Sequence, residues 1–256
     1  MAEDKSESGR SRLVYHYTSM RGLKAIVESG KLRATHYDYL NDPDELVYCK
    51  NLWGAHLRTT NPDQEDPPFF GEAYIVSFSE LEDDLSLWRA YGDNCAGVAI
   101  GVQLDSEFMV PPFSPEAEWA RLKAPWSQVS YAESEHAQLV QGIAFERFRE
   151  LAPTLKRAAH AFEREWRLIT WAAAFIDYTP PVAFRPSKFG LTPSIEMAPA
   201  SDLLPIRKIV LGPAVNPKAI YAVGLLLGTN GYPIDGLADD WRDECVAIRP
   251  SALRVQ

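Results

Sequence analysis

Glu163, Glu165 and Arg167, at alternate positions in a 256-residue chain, are the residues whose types and spacing first point to chemistry. The stretch Phe162-Glu163-Arg164-Glu165-Trp166-Arg167-Leu168-Ile169 reads as a strand, in which alternate side chains share a face. Glu163, Glu165 and Arg167 then point one way, and Trp166 and Leu168 point the other way, into a core. Same-face neighbours on a strand lie roughly 6–7 Å apart. Two carboxylates at that separation on a rigid strand, backed by a buried tryptophan, suit the stabilisation of a developing positive charge. The rival reading is a surface ion pair between Glu165 and Arg167 on an amphipathic strand, a common and weak arrangement. Arg167 decides between them: a tight pair with Glu165 that closes the site favours the rival.

The elements around these residues follow from local pattern. Leu13-Val14-Tyr15-His16-Tyr17-Thr18 is rich in β-formers and reads as the first strand, and Ser19 caps a helix whose face is Leu23, Ile26 and Val27, stopped by Gly30. His16 and Thr18 thus share a strand face beside a helix N-terminus, where backbone N–H groups favour anions. Residues 32–40 read as an extended piece ending in a turn. Asn41-Asp42-Pro43-Asp44-Glu45 starts a helix carrying Leu46, Trp53 and Leu57, and explains Asp42 and Glu45 as helix-start residues. Residues 58–70 read as a loop, 73–79 as a strand, 83–91 as a short helix and 97–102 as a strand. Ser79 before Glu80 and Asp83 is a candidate cap for that short helix. Trp88 and Tyr91, three apart on it, fit a core face as readily as a ligand face. Residues 105–126 read as irregular, 129–132 as a short strand, and 133–161 as helical with a break at Pro153. After the Glu163–Trp171 strand comes an aromatic and Pro-rich connection, in which Tyr178, Phe184, Arg185 and Phe189 are candidates for acceptor recognition. A strand at 206–211, a helix from Asn216-Pro217 with face Ile220, Val223, Leu226 and Leu227, and extended pieces at 245–248 and 253–255 complete the chain. This irregular interleaving reads as one α+β domain over 13–256, following a disordered lead-in at 1–12, with a helical insertion before the Glu163–Trp171 strand.

Composition narrows the classes. The net charge of -9 gives no general attraction to phosphate backbones. No apolar run approaches the roughly 20 residues of a membrane helix. Three scattered cysteines, Cys49, Cys95 and Cys245, fit a reducing cytoplasm rather than a disulfide framework. No Cys/His group has zinc spacing, so no metal is expected. Phosphate-cradling loops, dinucleotide glycine fingerprints, nucleophile elbows and metal-binding His/Glu helices are all absent from the sequence.

The ordered motifs add a resemblance. They are Tyr15-His16-Tyr17-Thr18-Ser19 with Gly22, Leu23 and Ile26, then Leu40-Asn41-Asp42-Pro43-Asp44-Glu45-Leu46, Ser77-Phe78-Ser79-Glu80, Trp88-Arg89-Ala90-Tyr91-Gly92, Gly97-Val98-Ala99-Ile100-Gly101, Glu163-Arg164-Glu165-Trp166-Arg167 and Leu211-Gly212-Pro213. In that order they resemble the bacterial family catalogued as domain of unknown function 2971. More distantly, His-Tyr-Thr on strand one, Ser on a middle strand and Glu on a late strand are similar to the ADP-ribosyltransferase superfamily. That resemblance implies a split mixed or antiparallel β-sheet flanked by helices, with NAD as substrate and no metal. It places His16 on the cofactor's ribose or amide, Tyr17 or Tyr91 against nicotinamide, and Glu165 on the nicotinamide ribose and its oxocarbenium ion. Thr18 and Ser79 fall on the same cofactor-binding strands. The chemistry agrees with the residue types: a nearby carboxylate stabilises such an ion, and Glu163 is placed to orient or deprotonate an acceptor. Arg89 suits a diphosphate, and Trp88 or Tyr91 a ring. The Glu-x-Glu pair is typical of a branch that opens with Arg rather than His, so the acceptor (protein, nucleic acid or small molecule) stays open. The implied activity is transfer of ADP-ribose, in a toxin or phage-defence setting. The alternatives are an NAD glycohydrolase and a non-catalytic nucleotide or nucleic-acid sensor of the same fold.

Overall fold

The chain opens with strand β1 (Leu13–Thr18), and Ser19 then caps helix α1 (Met20–Ser29) by accepting the Gly22 N–H at 3.0 Å. Gly30 ends α1 in the left-handed region, φ 64°, where a side chain would be strained. Strand β2 (Leu32–His36) leads through a 3-10 turn to α2 (Pro43–Thr60), where Asp42 accepts the Asp44 N–H. β3 (Ala73–Ser79), α3 (Leu85–Ala90), β4 (Val98–Gln103), β5 (Phe108–Val110), β6 (Leu122–Ala124) and β7 (Trp126–Gln128) follow. Two short helices, α4 (Glu133–Leu139) and α5 (Phe145–Leu151), precede β8 (Glu165–Trp171). β9 (Val182–Ser187), β10 (Gly190–Pro199), β11 (Ile206–Leu211), α6 (Ala219–Thr229) and β12 (Ala247–Pro250) complete the order. In this computed structural model the described residues are 12–60, 73–110, 122–171, 182–235 and 245–254; the lead-in (apart from Arg12), most of the 58–70 loop and Tyr178 lie outside them. The fold is α+β, with antiparallel and parallel strand pairs and several helices.

The chain divides into two compact units, each assembled from separate segments. The first comprises Met1–Gly30, Phe78–Glu107 and Pro199–Gln256. In it β4 lies between β1 and β11, antiparallel to both, and β11 pairs in parallel with β12. One face of this sheet carries Tyr15, Tyr17, Ala99 and Val210, covered by Leu87 and Trp88 of α3. The second comprises Lys31–Ser77 and Phe108–Ala198. Here β2 pairs with β3 and β10, β9 and β10 form a hairpin, and β8 pairs with β7 and β3. Its α2 buries Cys49, Trp53 and Leu57 against Phe148 of α5, with the Trp53 and Phe148 rings stacked at 4.7 Å.

Several expectations change. The helical insertion is broken into α4, α5 and 3-10 turns at Ala152–Thr154 and Ala158–Glu163: Gly142, at φ 72°, lies between the two helices, and Pro153, which cannot donate, follows the second. Residues 105–126 contain β5 and β6, and the expected strand at 129–132 is instead β7, just upstream. The Pro-rich connection includes the β9–β10 hairpin, where Pro186 lies on a strand that pairs only with β10 among the described strands. A missing N–H is tolerated on such an edge. Leu253 and Arg254 are not in a strand.

Candidate functional site: a buried ionic cluster

β8 begins at Glu165, and Glu163 belongs to the 3-10 turn before it. Arg164 between them adopts φ 44°, ψ 54°, a left-handed conformation that a non-glycine residue takes at some cost. That reversal brings both acids inward despite the break in strand geometry. Glu163 and Glu165 are each 5% exposed and Arg167 is 1% exposed, so the ion pair of the rival reading is buried rather than at the surface. β8 is covered on both faces from Leu168 to Thr170, which removes the simple in/out alternation.

Arg167 pairs tightly with Glu165, which favours the ion-pair reading for that acid, and is satisfied completely. Its Nε donates to Glu165 Oε1 at 2.8 Å and Nη2 to Glu165 Oε2 at 3.0 Å. Nη2 also reaches Glu45 Oε2 at 2.9 Å, while Nη1 donates to Glu45 Oε1 and to the Pro153 carbonyl at 2.6 Å. All five guanidinium N–H groups therefore have acceptors. Lys156 extends the network, with Nζ 2.6 Å from Glu163 Oε2, 3.1 Å from Glu165 Oε2 and 3.7 Å from Glu45 Oε2. Ser77 donates to Glu165, and the Tyr131 hydroxyl accepts the Glu165 N–H at 3.0 Å. Three carboxylates thus face two cations, leaving one negative charge in excess.

Burial alone would raise the Glu165 carboxyl. The charges of Arg167 and Lys156, with hydrogen bonds from Arg167 and Ser77, outweigh it and hold the group ionised, down to about 2. Burial opposes the charge on Lys156, but the surrounding glutamates, Glu165 first, raise it above its ordinary value. Burial and then the Glu165 charge push Tyr131 up, so its phenol stays neutral.

Among the described residues, the cluster has a partly exposed edge at His160 and Asp42. His160 Nδ1 lies 3.7 Å from Glu163 Oε1 and Nε2 lies 3.3 Å from Asp42 Oδ2, with 30% of the His160 side chain and 19% of Asp42 exposed. Glu163 is the acid that faces this edge, whereas Glu165 is enclosed by Arg167, Lys156 and Ser77.

Glu163 and Glu165 therefore meet in the second unit, bridged by Lys156, while the residues expected to bind the cofactor, His16, Tyr17, Thr18, Ser79, Trp88, Arg89 and Tyr91, belong to the first. His16 is half-buried on β1, paired with Ile100 and with its ring 5.6 Å from Phe78. Tyr17 is a core residue whose hydroxyl donates to the Leu81 carbonyl and accepts the Asp84 N–H, and its ring meets Trp88 edge-on at 4.8 Å. Trp88 is fully buried, with Nε1 bonded to Asp83, and lies on the core face of α3. Thr18 packs against Gly22, where a Cβ would fall 2.2 Å from its hydroxyl oxygen. Ser79 accepts the Leu81 N–H, but the cap of α3 is Asp84, which accepts from Ser86 and Leu87. Arg89 is exposed and Tyr91 half-buried. Phe184, Arg185 and Phe189 are exposed on the β9–β10 hairpin.

Sequence reasoning missed Lys156 and His160, and explained Glu45 and Asp42 by helix capping alone. Glu45 carried a signal: it precedes Cys49 by four and Trp53 by eight, in line with the buried stripe of α2. Among the described residues no group of three or more His, Cys, Asp or Glu side chains is arranged to hold a metal ion. No described helix is long and apolar enough to cross a membrane.

No protein-family model matches the chain, and no curated protein or solved structure matches it either.

Proposed function

We propose that the chain is an NAD-consuming enzyme of the ADP-ribosyltransferase type, in which Glu163 rather than Glu165 stabilises the ribose cation. The observation that carries this reading is the net-negative cluster whose Glu163 meets His160, which in turn meets Asp42, both of them partly exposed. Breaking the nicotinamide–ribose bond leaves neutral nicotinamide and an oxocarbenium ion. A fixed carboxylate lowers the barrier to that ion because its orientation is settled beforehand. His160, held between Asp42 and Glu163, is placed to accept the proton released when an acceptor hydroxyl, amine or water attacks the ribose carbon. Glu165 acts at one remove, fixing Lys156 and through it Glu163. The split-sheet architecture, the family membership, the cytoplasmic setting and the toxin or phage-defence role belong to the same proposal, and rest on the motifs quoted above.

A second reading, a non-catalytic nucleotide sensor, is favoured by one specific feature: every N–H of Arg167 and both oxygens of Glu165 are engaged within the chain.

The experiment is incubation of pure protein with NAD, following free nicotinamide by chromatography, with Glu163→Gln, Glu165→Gln and His160→Ala alongside. The enzyme reading expects release that falls by about 10²–10³-fold in Glu163→Gln. Release unchanged in that variant refutes the assignment of Glu163. No NAD binding by calorimetry refutes the enzyme reading as a whole. Label on added macromolecules separates transfer from hydrolysis. The assignment of His16 to the cofactor is tested separately, by the NAD affinity of His16→Ala.

A further inference from the structure

One carboxylate in the first unit is held by more donors than an ion pair requires. The Tyr15 hydroxyl donates to Glu82 Oε2 at 3.0 Å. Lys208 Nζ lies 2.7 Å from Glu82 Oε1, and Arg249 donates to the same oxygen from Nε at 2.5 Å and also approaches it through Nη2. Register explains the convergence. Tyr15 pairs with Gly101 and Gly101 with Lys208, so the two side chains stand in one row across β1, β4 and β11. Lys208 pairs with Ala247, and Arg249 lies two residues further along β12, on the same face. Gly101 lets the row close, since a Cβ there would sit 2.9 Å from the Tyr15 ring and 3.2 Å from Lys208 Cβ. The Lys208, Glu82 and Arg249 side chains keep 25%, 27% and 38% of their exposure, so solutes reach them.

Two full positive charges therefore meet one carboxylate, in a chain whose net charge is -9. Strands position them, and they combine a forked guanidinium, a point-charge ammonium and a hydroxyl. That set matches a tetrahedral oxyanion better than a planar carboxylate, because the fork takes two oxygens and the other donors reach the rest. We propose that Tyr15, Lys208 and Arg249 form a binding site for a phosphate monoester dianion, occupied in the free protein by Glu82 as an internal stand-in. The dianion's two charges match the two cations, which Glu82 leaves with one in excess. Binding displaces only the Glu82 side chain, already part-exposed, toward solvent. The site shares no residue with the glutamate cluster and stands independently of the NAD reading.

Isothermal titration with inorganic phosphate on the full chain, at constant ionic strength, tests it. Occupancy by Glu82 reduces the apparent affinity by the fraction of time that the site is open. Glu82→Gln is therefore expected to bind phosphate about tenfold or more tightly than the wild type, and Lys208→Ala or Arg249→Ala in that background to abolish the gain. No gain in Glu82→Gln, or a gain that survives both alanine changes, overturns the proposal. Because Glu82→Gln alters three contacts at once, the wild type supplies a second readout. Phosphate is expected to shift the Arg249 Nε–H resonance where chloride of equal ionic strength does not. Equal responses to the two anions overturn the site.

Discussion

Replacing Arg167 with methionine is the sharpest perturbation of the buried cluster. The change keeps an unbranched side chain of similar length and removes every one of the donors that Glu45, Glu165 and the Pro153 carbonyl share. Three carboxylates then face Lys156 alone, so the local charge moves from minus one to minus two in a region at most 5% exposed. Orphaning the partners of a buried ion pair costs about 3–5 kcal/mol. In a protein of this size each kcal/mol lowers the midpoint by roughly 2–4 °C, so a shift on the order of 10 °C is expected. Urea unfolding followed by tryptophan fluorescence gives the free energy. Glu45→Gln supplies the control. In the wild type it removes a charged partner of Arg167 and destabilises. In the Arg167→Met background it removes an orphaned charge, so the two changes are non-additive by about 1–3 kcal/mol. Acid adds a second check. Glu165 has its carboxyl held below the ordinary 4.5, so its contribution is present above that pH and is lost as pH falls toward about 2. Without Arg167 the depression is relieved, and the gap between variant and wild type narrows on acidification below 4.5. A loss under about 1 kcal/mol, or strict additivity with Glu45→Gln, refutes the view that this network is a coupled unit.

Two further outcomes test the surrounding fold. His136 is fully buried between the Tyr48 hydroxyl at 2.6 Å and Ser130 Oγ at 2.9 Å, and burial lowers its pKa against the pull of Glu133 and Glu135. A depressed histidine favours the folded state above 6.5 and loses that contribution as pH falls through this value, so the unfolding free energy should decline from pH 7 to 5 by at most about 1.4 kcal/mol per pH unit. His136→Gln should abolish that slope, and a slope that persists contradicts the assignment. Gly97→Ala would place a Cβ 2.1 Å from the Thr18 carbonyl oxygen and 2.8 Å from that of Gly92, both backbone atoms that cannot swing aside. A loss of about 1–3 kcal/mol is expected. Gly228→Ala, with nothing within 4 Å on helix α6, is the matched control, expected to raise urea stability by roughly 0.5–1 kcal/mol.

What was legible in the sequence was local. Ser19 and Gly30 bracket α1, Asp42-Pro43 opens α2, and β3 and β11 fall at 73–79 and 206–211 as the pattern requires. Each of these rests on capping chemistry or on a β-rich run, closed at β11 by Gly212-Pro213, which needs no distant partner. The ionic cluster is the opposite case. Lys156 sits nine residues before Glu165 in a stretch whose apolar spacing looked helical, and only the break at Pro153 turns it inward. Glu45 reaches Arg167 across 122 positions, a contact that no spacing rule encodes. Period-two alternation misled at β8 because the strand is covered on both faces, so a charged residue there is a buried one with partners rather than a surface one. A single acid within an apolar stripe, as Glu45 is in α2, was the readable sign that a buried cation had to exist elsewhere.

The two readings of the cluster place opposite demands on its two adjacent acids. Glu163→Gln keeps an oxygen for Lys156 Nζ at the same reach and brings the cluster to neutrality, so its stability should change little. Glu165→Gln weakens the two charged hydrogen bonds from Arg167 and the one from Lys156, and should destabilise more. If the cluster serves catalysis, nicotinamide release collapses in Glu163→Gln while its folding free energy stays near that of the wild type. If the cluster is a scaffold, any loss of NAD binding tracks folding free energy, and Glu165→Gln is the worse of the two. The ratio of activity lost to stability lost therefore separates the readings, because a group that touches the reacting atoms lowers the rate without needing to lower the stability. Of these two acids, Glu163 is the one with the geometry to give a high ratio, since it meets the partly exposed His160.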